Sequence, residues 1–242
     1  DDVSGEPLDP QMVRKARMEE VDYIRKSNLY TKVPIKECVE RTGKKPIAVK
    51  WIDRNKQDAK NPLCRSRLVG KEFNTYNDIT LYAATPPLEA LKMLMSMAVT
   101  EGIGYEKGNP AGGMKLEFID VRRAYFNAKV DQNATPCYVA LSKEDPDSEH
   151  MCGELVHHMY GTRIAADGWQ EEYSTFLIQI GFSQGMATPN VFHHKARNIF
   201  CSVHGDDFTS SGPKIELDWL EKTVGEQYEI EVGPRMGPGE AD

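Results

Sequence analysis

The sequence predicts an α+β protein, and three observations predict it. Helical and strand patterns are mixed along the chain, neighbouring strands are joined by short turns as hairpins, and strict strand-helix-strand alternation is absent. No internal repeat or low-complexity tract is present. The 242 residues, 40% of them hydrophobic, can bury one sizeable core or two small ones.

The elements follow in order. "LDPQMVRKARMEEVDYIRKSN" predicts a helix with Asp9 as N-cap and Pro10 at its first position. Val13, Arg17, Val21 and Ile24 fall on one face of it. "KPIAVKWIDRNK" and "CRSRLVGKEF" predict two strands joined by the turn "QDAKNP". "PPLEALKMLMSMAVTEG" predicts a helix started by proline and ended by Gly102, with Met93, Met95 and Met97 in the core. "GIGYEKGNPAGG" reads as a loop, "KLEFIDV" as a strand, "RRAYFNAKV" as a turn into a short helix, and "CYVALS" as a strand.

"EDPDSEHMCG" reads as an exposed acidic loop. "AADGWQEEYSTFLIQIGF" predicts a helix with Trp169, Tyr173, Phe176, Leu177 and Ile180 on its apolar face. "NVFHH" and "NIFCSVH" are short strands joined by "KAR", and "VHGDDF" is a hairpin with Asp206 and Asp207 at its tip. "PKIELDWLEKTVGEQY" predicts a helix and "EIEV" a strand, while the glycine- and proline-rich "GPRMGPGEAD" reads as irregular.

Several functional classes are excluded. The longest apolar run, Leu91 to Val99, is cut by Lys92 and Ser96 and is too short to span a membrane. The acidic start "DDVSGEPLDP" is neither a signal nor a transit peptide. Five scattered cysteines without a CxxC pair point to reduced thiols and an intracellular protein, not to a disulfide framework or zinc knuckle. "DRNKQDAKNPLC" lacks the glycine and glutamate of a calcium loop. His157-His158 and His193-His194 are adjacent residues, which on a strand point to opposite faces and cannot chelate. Neither GxSxG nor a P-loop occurs.

Charge is unevenly distributed. From Arg41 to Glu72, ten cations face three carboxylates, a net +7 within a chain of net -7. Such a basic surface on an acidic body can engage phosphates, although solvated ribbons commonly carry Lys and Arg too. The carboxylates are more specific. Strand "EFIDV" ends on Asp120 and the hairpin presents Asp206 and Asp207, so three carboxylates converge if those strands are neighbours. Each carboxylate raises the pKa of the next, and divalent magnesium with its preference for oxygen offsets that cost. Two metals about 4 Å apart can stabilise both oxygens of an in-line phosphoryl transfer. An Asp-Asp pair in a turn is by itself usually only a turn.

Ordered motifs around these residues carry a resemblance. "IDVRRAYFN" resembles polymerase motif A of reverse transcriptases, D-V-x-x-A-[FY]. "MYGTRIAADGW" resembles motif B in the copia-type form L-Y-G-L-K-Q-A-P-R-A-W, and "HGDD" resembles motif C, usually Tyr-Val-Asp-Asp. "KPIAVKWIDRNK" with "CRSRLVGKEFN" looks like the copia fingers, "GELVHHMYG" like the lead-in to motif B, and "FLIQIGFSQGMATPNVF" like F-L-x-x-x-G-F-x-x-x-x-x-D-P-x-x-[FY]. The chain is similar, from about residue 16 to 228, to the reverse transcriptase domain of a copia-type retrotransposon.

The resemblance implies a polymerase palm, an antiparallel sheet with helices on one face, joined to a β-ribbon and helix fingers subdomain, with the thumb absent. Residues 1–28 would form an N-terminal helix, 29–114 the fingers-like region and 115–242 the palm-like region. Asp120, Asp206 and Asp207 match the catalytic carboxylates. With the Val121 carbonyl they would hold two Mg2+ ions, for which Mn2+ can substitute. Tyr125 matches the aromatic gate that rejects a ribose 2′-hydroxyl, or is simply core. The backbone of Arg122, Arg123 and Ala124 would lie near the triphosphate, and Arg65, Arg67 and Lys71 would hold its phosphates. Tyr160 and Gly161 fall where motif B meets the template-nucleotide pair, and Arg163 matches its basic residue.

The partners implied are an RNA or DNA template-primer, a dNTP, and other polyprotein segments (RNase H, integrase) or a host complex. The setting implied is a cytoplasmic particle or the nucleus. The chain departs from the family at His204 and Gly205 in motif C, at Ile164 and Ala166 in motif B, where Gln and Pro are usual, and at Arg122-Arg123 for Lys-Asn. Three readings follow: RNA- or DNA-templated DNA synthesis, a non-catalytic or domesticated module serving as a structural subunit, and a nuclease built on the same carboxylates.

Overall fold

The computed structural model describes residues 1–57, 61–72 and 85–239. Part of the expected turn after Lys56, the Phe73 end of the second ribbon strand, and the last three residues lie outside it. The described elements begin with α1 (Pro10–Lys26), β1 (Tyr30–Pro34), α2 (Ile35–Thr42), β2 (Val49–Asn55) and β3 (Cys64–Gly70). Next come α3 (Leu88–Val99), β4 (Met114–Val121), β5 (Tyr138–Ala140), β6 (Met151–Leu155) and α4 (Ala165–Gln179). The chain continues through β7 (Ser183–Gln184), β8 (Val191–His194), β9 (Ile199–His204), β10 (Asp207–Pro213), α5 (Lys214–Gln227) and β11 (Ile230–Val232). Among the described residues all strand ladders are antiparallel, in keeping with the α+β class. Among the described residues no helix is long and apolar enough to cross a membrane.

The chain divides into two units, Asp1–Leu81 with Ala128–Gly168, and Tyr82–Asn127 with Trp169–Asp242. In the first, the Asp9 carboxylate caps α1 by accepting hydrogen bonds from the amides of Gln11 (2.7 Å) and Met12 (3.2 Å). The buried face of α1 is Ala16, Glu20, Val21 and Ile24. Val13 and Arg17 lie on this same face and are half-buried, and Arg17 pairs with Asp53 at 2.6 Å and covers the Trp51 ring. β1, β6 and β5 form a three-stranded sheet, against which α2 buries Cys38 beside Tyr138 and Cys152.

β1, α2 and the strand at Met151 were not expected. β1 is only five residues long and runs directly into α2 through Pro34, so neither shows an isolated period. The acidic stretch from Glu144 is not simply an exposed loop either. It leads into β6, and Asp145 is buried, held by Lys32 at 2.7 Å.

The second unit is built on a six-stranded sheet in the order β11-β4-β10-β9-β8-β7. One face carries Ile119, Phe208, Val203 and Phe192. There the rings of Trp169 and Tyr173 from α4 meet Phe208 and Phe192 edge-on, and α5 buries Leu217, Leu220 and Val224. The other face is covered at one end by α3, whose Leu94 and Ala98 pack on Met114, Leu116, Phe118 and Phe200. Helices thus cover both faces, not one. Leu94 and Ala98 are one helical turn apart and face the sheet, which turns Met93 and Met95 outward. Of the methionines expected in the core, Met93 and Met95 are exposed and Met97 is half-buried. α3 also stops at Val99, three residues before Gly102.

Candidate functional site

The acidic site grows from three strand ends of the second unit. β4 lies between β11 and β10, with Asp207 opposite Asp120 and Glu231 opposite it on the other side. Partner residues in an antiparallel ladder have Cα atoms about 4.5–5.5 Å apart, so Asp120 and Asp207 are direct neighbours on one face. His204 is opposite Asp207 on β9, which leaves Gly205 and Asp206 as a two-residue turn. Gly205 has φ +64°, the left-handed region where glycine costs least, and stands first in the turn as type II′ hairpins require. The chain's replacement for the usual Tyr-Val is therefore compatible with a tight hairpin.

Two hydrogen bonds fix this turn. The Val121 amide donates to the Asp206 carbonyl at 2.9 Å, joining the turn to β4. The buried Trp169 indole donates to the Gly205 carbonyl at 2.7 Å. Trp169 was expected only as part of an apolar face. Its polar handle acts across 36 positions of sequence, and the only signal for it is that a buried indole N–H needs an acceptor.

Because α3 covers the Met114–Phe118 end of this face, the other end stays open, and Asp120 and Asp207 are exposed while Asp206 is half-buried. The Asp207 carboxyl is nevertheless pushed up, first by burial of the group itself and then by the charges of Asp206 and Asp120. The whole residue counts as exposed, yet the carboxyl feels its packed and charged surroundings; the shift direction follows from the carboxyl's own neighbours. Among the described residues no three His, Cys, Asp or Glu side chains already converge as an ion cage. The donor set still fits a hard divalent cation. It is all oxygen, and it carries mutual repulsion that a cation offsets.

Motif A continues past β4 into a turn. Arg123 has φ +50°, and residues Ala124–Asn127 form a 3-10 turn. Ala124 and Phe126 are buried and anchor it, so Tyr125 between them is only half-buried and presents part of its ring. The side chain of Arg122 turns to β11 and pairs with Glu229 (2.9 Å) and Glu231 (3.4 Å). Sequence reading missed both glutamates, because only the strand register brings them beside motif A.

The basic residues of the first unit form a separate group. β2 and β3 alternate about their ladder. Trp51, Asp53, Ser66 and Leu68 share one face, and Lys50, Arg54, Arg65 and Arg67 share the other. The first is the α1 side, where Asp53 binds Arg17 and Ser66. The Arg67 guanidinium lies 4.8 Å from the centroid of the Tyr160 ring. The Gly70 amide donates to the Tyr160 carbonyl (2.7 Å), the Glu72 amide to the Gly161 carbonyl (3.2 Å), and the Arg163 amide to the Glu72 carboxylate (2.8 Å). Motif B's lead turn is thus hydrogen-bonded to the end of the ribbon. Gly161 has φ +80°, and a Cβ there would lie 2.1 Å from the Gly70 carbonyl oxygen, so only glycine fits. Lys71 is exposed just beyond β3. Arg65, Arg67, Lys71, Tyr160, Gly161 and Arg163 thus fall in this unit, and the three aspartates, Arg122, Arg123, Ala124 and Tyr125 in the other.

Strand-end carboxylates facing each other across an antiparallel sheet are the arrangement that the motifs anticipate. Residues 36–232 match the family model described as reverse transcriptase (RNA-dependent DNA polymerase), and the chain belongs to that family. It is a reverse transcriptase domain of the copia type. A relative is the "Retrovirus-related Pol polyprotein from transposon TNT 1-94" of Nicotiana tabacum, 21% identical over 189 residues. The match covers 74% of this chain and 12% of that polyprotein, so the chain spans about an eighth of its relative's length.

Proposed function

We propose that this chain is a template-directed DNA polymerase domain that adds a deoxynucleotide from a dNTP to a primer 3′-hydroxyl and releases pyrophosphate. The observation that carries this reading is the register of Asp207 on Asp120 with Asp206 in the adjoining turn. In it, the six-stranded sheet serves as palm and the basic ribbon with its helices as fingers. Magnesium, or manganese in its place, would be held by Asp120, Asp206, Asp207 and the Val121 carbonyl, and supplies charge stabilisation to the attacking and leaving oxygens.

The chain's own residues do the rest. The hairpin turn, bonded to β4 and to Trp169, holds Asp206 beside Asp120 before substrate arrives, so no ordering cost falls on the chemical step. Tyr125, half-buried between two buried anchors, is the ring that excludes a ribose 2′-hydroxyl. The backbone of Arg122, Arg123 and Ala124 lies near the triphosphate, although the Arg122 amide itself donates to the Glu229 carbonyl (2.8 Å), and Arg65, Arg67 and Lys71 hold its phosphates by charge. Tyr160, Gly161 and Arg163 contribute to the nucleotide site from motif B. The template-primer is RNA or DNA, and the further partners are other segments of a polyprotein, RNase H and integrase among them.

Primer extension on a defined RNA template tests the reading. Asp206→Asn keeps the shape of the side chain and removes its charge. Metal-dependent extension is expected to fall on the order of a thousandfold or more. Extension that survives this change within tenfold would remove the aspartate from the chemistry.

A further inference from the structure

We infer that Tyr160 is a positioning residue for Arg67, so that the ring sets nucleotide affinity through the guanidinium and not by touching the base pair. The inference rests on the polymerase reading above and concerns one half of the nucleotide site. Arg67 projects from the ribbon face opposite the Trp51 and Leu68 side, and the Tyr160 ring lies under its guanidinium at 4.8 Å. A guanidinium over an aromatic face is held by the ring quadrupole. It keeps its N–H donors at the edge, where an anion can still take them.

The backbone makes this pair one body. Tyr160's carbonyl accepts from the amide of Gly70, three residues along the same strand from Arg67. The next carbonyl, of Gly161, accepts from Glu72, and Glu72 in turn accepts from the Arg163 amide. The closeness of Gly161 to the Gly70 carbonyl leaves no room for sliding. Ring and cation therefore share a common support. A long arginine side chain otherwise loses rotamer freedom when it captures a phosphate. Holding it in place beforehand removes part of that cost and appears as tighter binding of the triphosphate. Arg67 is thereby oriented before the nucleotide arrives.

The test uses the full chain, Mg2+ and a deoxynucleoside triphosphate bearing a fluorescent base, titrated to give Kd, with primer extension run in parallel. Tyr160→Leu is expected to raise Kd and KM on the order of fivefold while kcat stays near that of the unchanged chain. Tyr160→Phe, which keeps the ring, restores most of the loss. In an Arg67→Ala background, Tyr160→Leu adds nothing further, because its effect runs through the cation. Equal losses in the Leu and Phe variants, a fall confined to kcat, or full additivity with Arg67→Ala each overturns the inference. Mg2+-dependent binding with this pattern but no extension supports the pair's role and overturns the polymerase reading instead.

Discussion

β4 treats two of its carboxylates in opposite ways, and the contrast separates structure from chemistry. Glu117 is fully buried on the face covered by α5, where Arg235 pairs with it and with Asp218 at 2.5 Å and Glu221 at 3.3 Å. Lys115, two residues earlier on the same face, is equally buried and donates to the carbonyls of Pro110 (3.1 Å) and Pro238. Between them, Leu116 exchanges both backbone hydrogen bonds with Met236. These buried charges tie residues 235–238 after β11 to the sheet as a fixed strap. Asp120, three residues further on the opposite face, is exposed and placed beside Asp207. A carboxylate with a guanidinium beside it is already answered. One placed beside other carboxylates raises their pKa and gains from any further positive charge.

The largest effect expected from this contrast is a crossing of two isosteric changes on one strand. Asp120→Asn should lower extension on the order of a thousandfold while shifting the thermal midpoint little, because the residue is exposed. Glu117→Gln should leave extension within about threefold and act on stability alone. A Glu117→Gln variant that loses activity without losing stability would erase the distinction between the two ends of β4.

The second effect is in pH. Arg235 is held in its charged form by its three carboxylates, whereas Glu117 is pushed up to about 7, foremost by burial. Desolvation outweighs the guanidinium for Glu117, because one of its oxygens is buried without a hydrogen bond. The folded state therefore holds a proton that the unfolded chain releases near its ordinary value of 4.5. Glu117's contribution to stability is full below pH 4.5 and is lost as pH rises through about 7, by about 3 kcal/mol in all. Asp53 and Asp145, whose carboxyls Arg17 and Lys32 respectively help to hold below the usual range, act in the other direction and lose stability as pH falls. Urea unfolding of the unchanged chain and of Glu117→Gln, between pH 4.5 and 8, isolates the difference, since those aspartates are common to both. A difference that does not change with pH would mean that Glu117 is charged throughout.

How much of this was legible in the sequence follows the same division. The long helices and the ribbon were readable because their periods are local: Asp9, Pro10 and the 169–177 apolar spacing signal themselves. The three aspartates were readable as candidates, since a strand end and a hairpin tip are local features, but their adjacency depended on which strands neighbour each other. The burial of Lys115 and Glu117 was not readable. In "KLEFIDV" the alternation offers Leu116 and Phe118 as the inward set, which assumes a sheet with one wet face. α3 and α5 cover both faces, and the charges on the second face needed Arg235 and two proline carbonyls from far along the chain. Trp169's bond to Gly205 was hidden for the same reason.

The smallest effect expected tests how tightly the exposed end must be built. Gly205 takes φ +64°, and a Cβ added there would meet no atom within 4 Å. The cost of Gly205→Ala is therefore torsional alone, about 1 kcal/mol. Gly205→Asn should cost less, because a short polar side chain tolerates the left-handed region. The turn keeps two outside holds, from Val121 to Asp206 and from Trp169 to Gly205, so it should retain its shape in both variants. Extension is expected to fall only severalfold in Gly205→Ala and less in Gly205→Asn, in the same order as the urea midpoints. If Gly205→Ala instead removed activity as fully as Asp120→Asn while the midpoint barely moved, the turn would have no tolerance to spare. A shift of the Asp206 carbonyl too small to unfold anything would then be enough to dismantle the site. The glycine before the two aspartates would in that case serve chemistry, where the present geometry gives it only the shape of the hairpin.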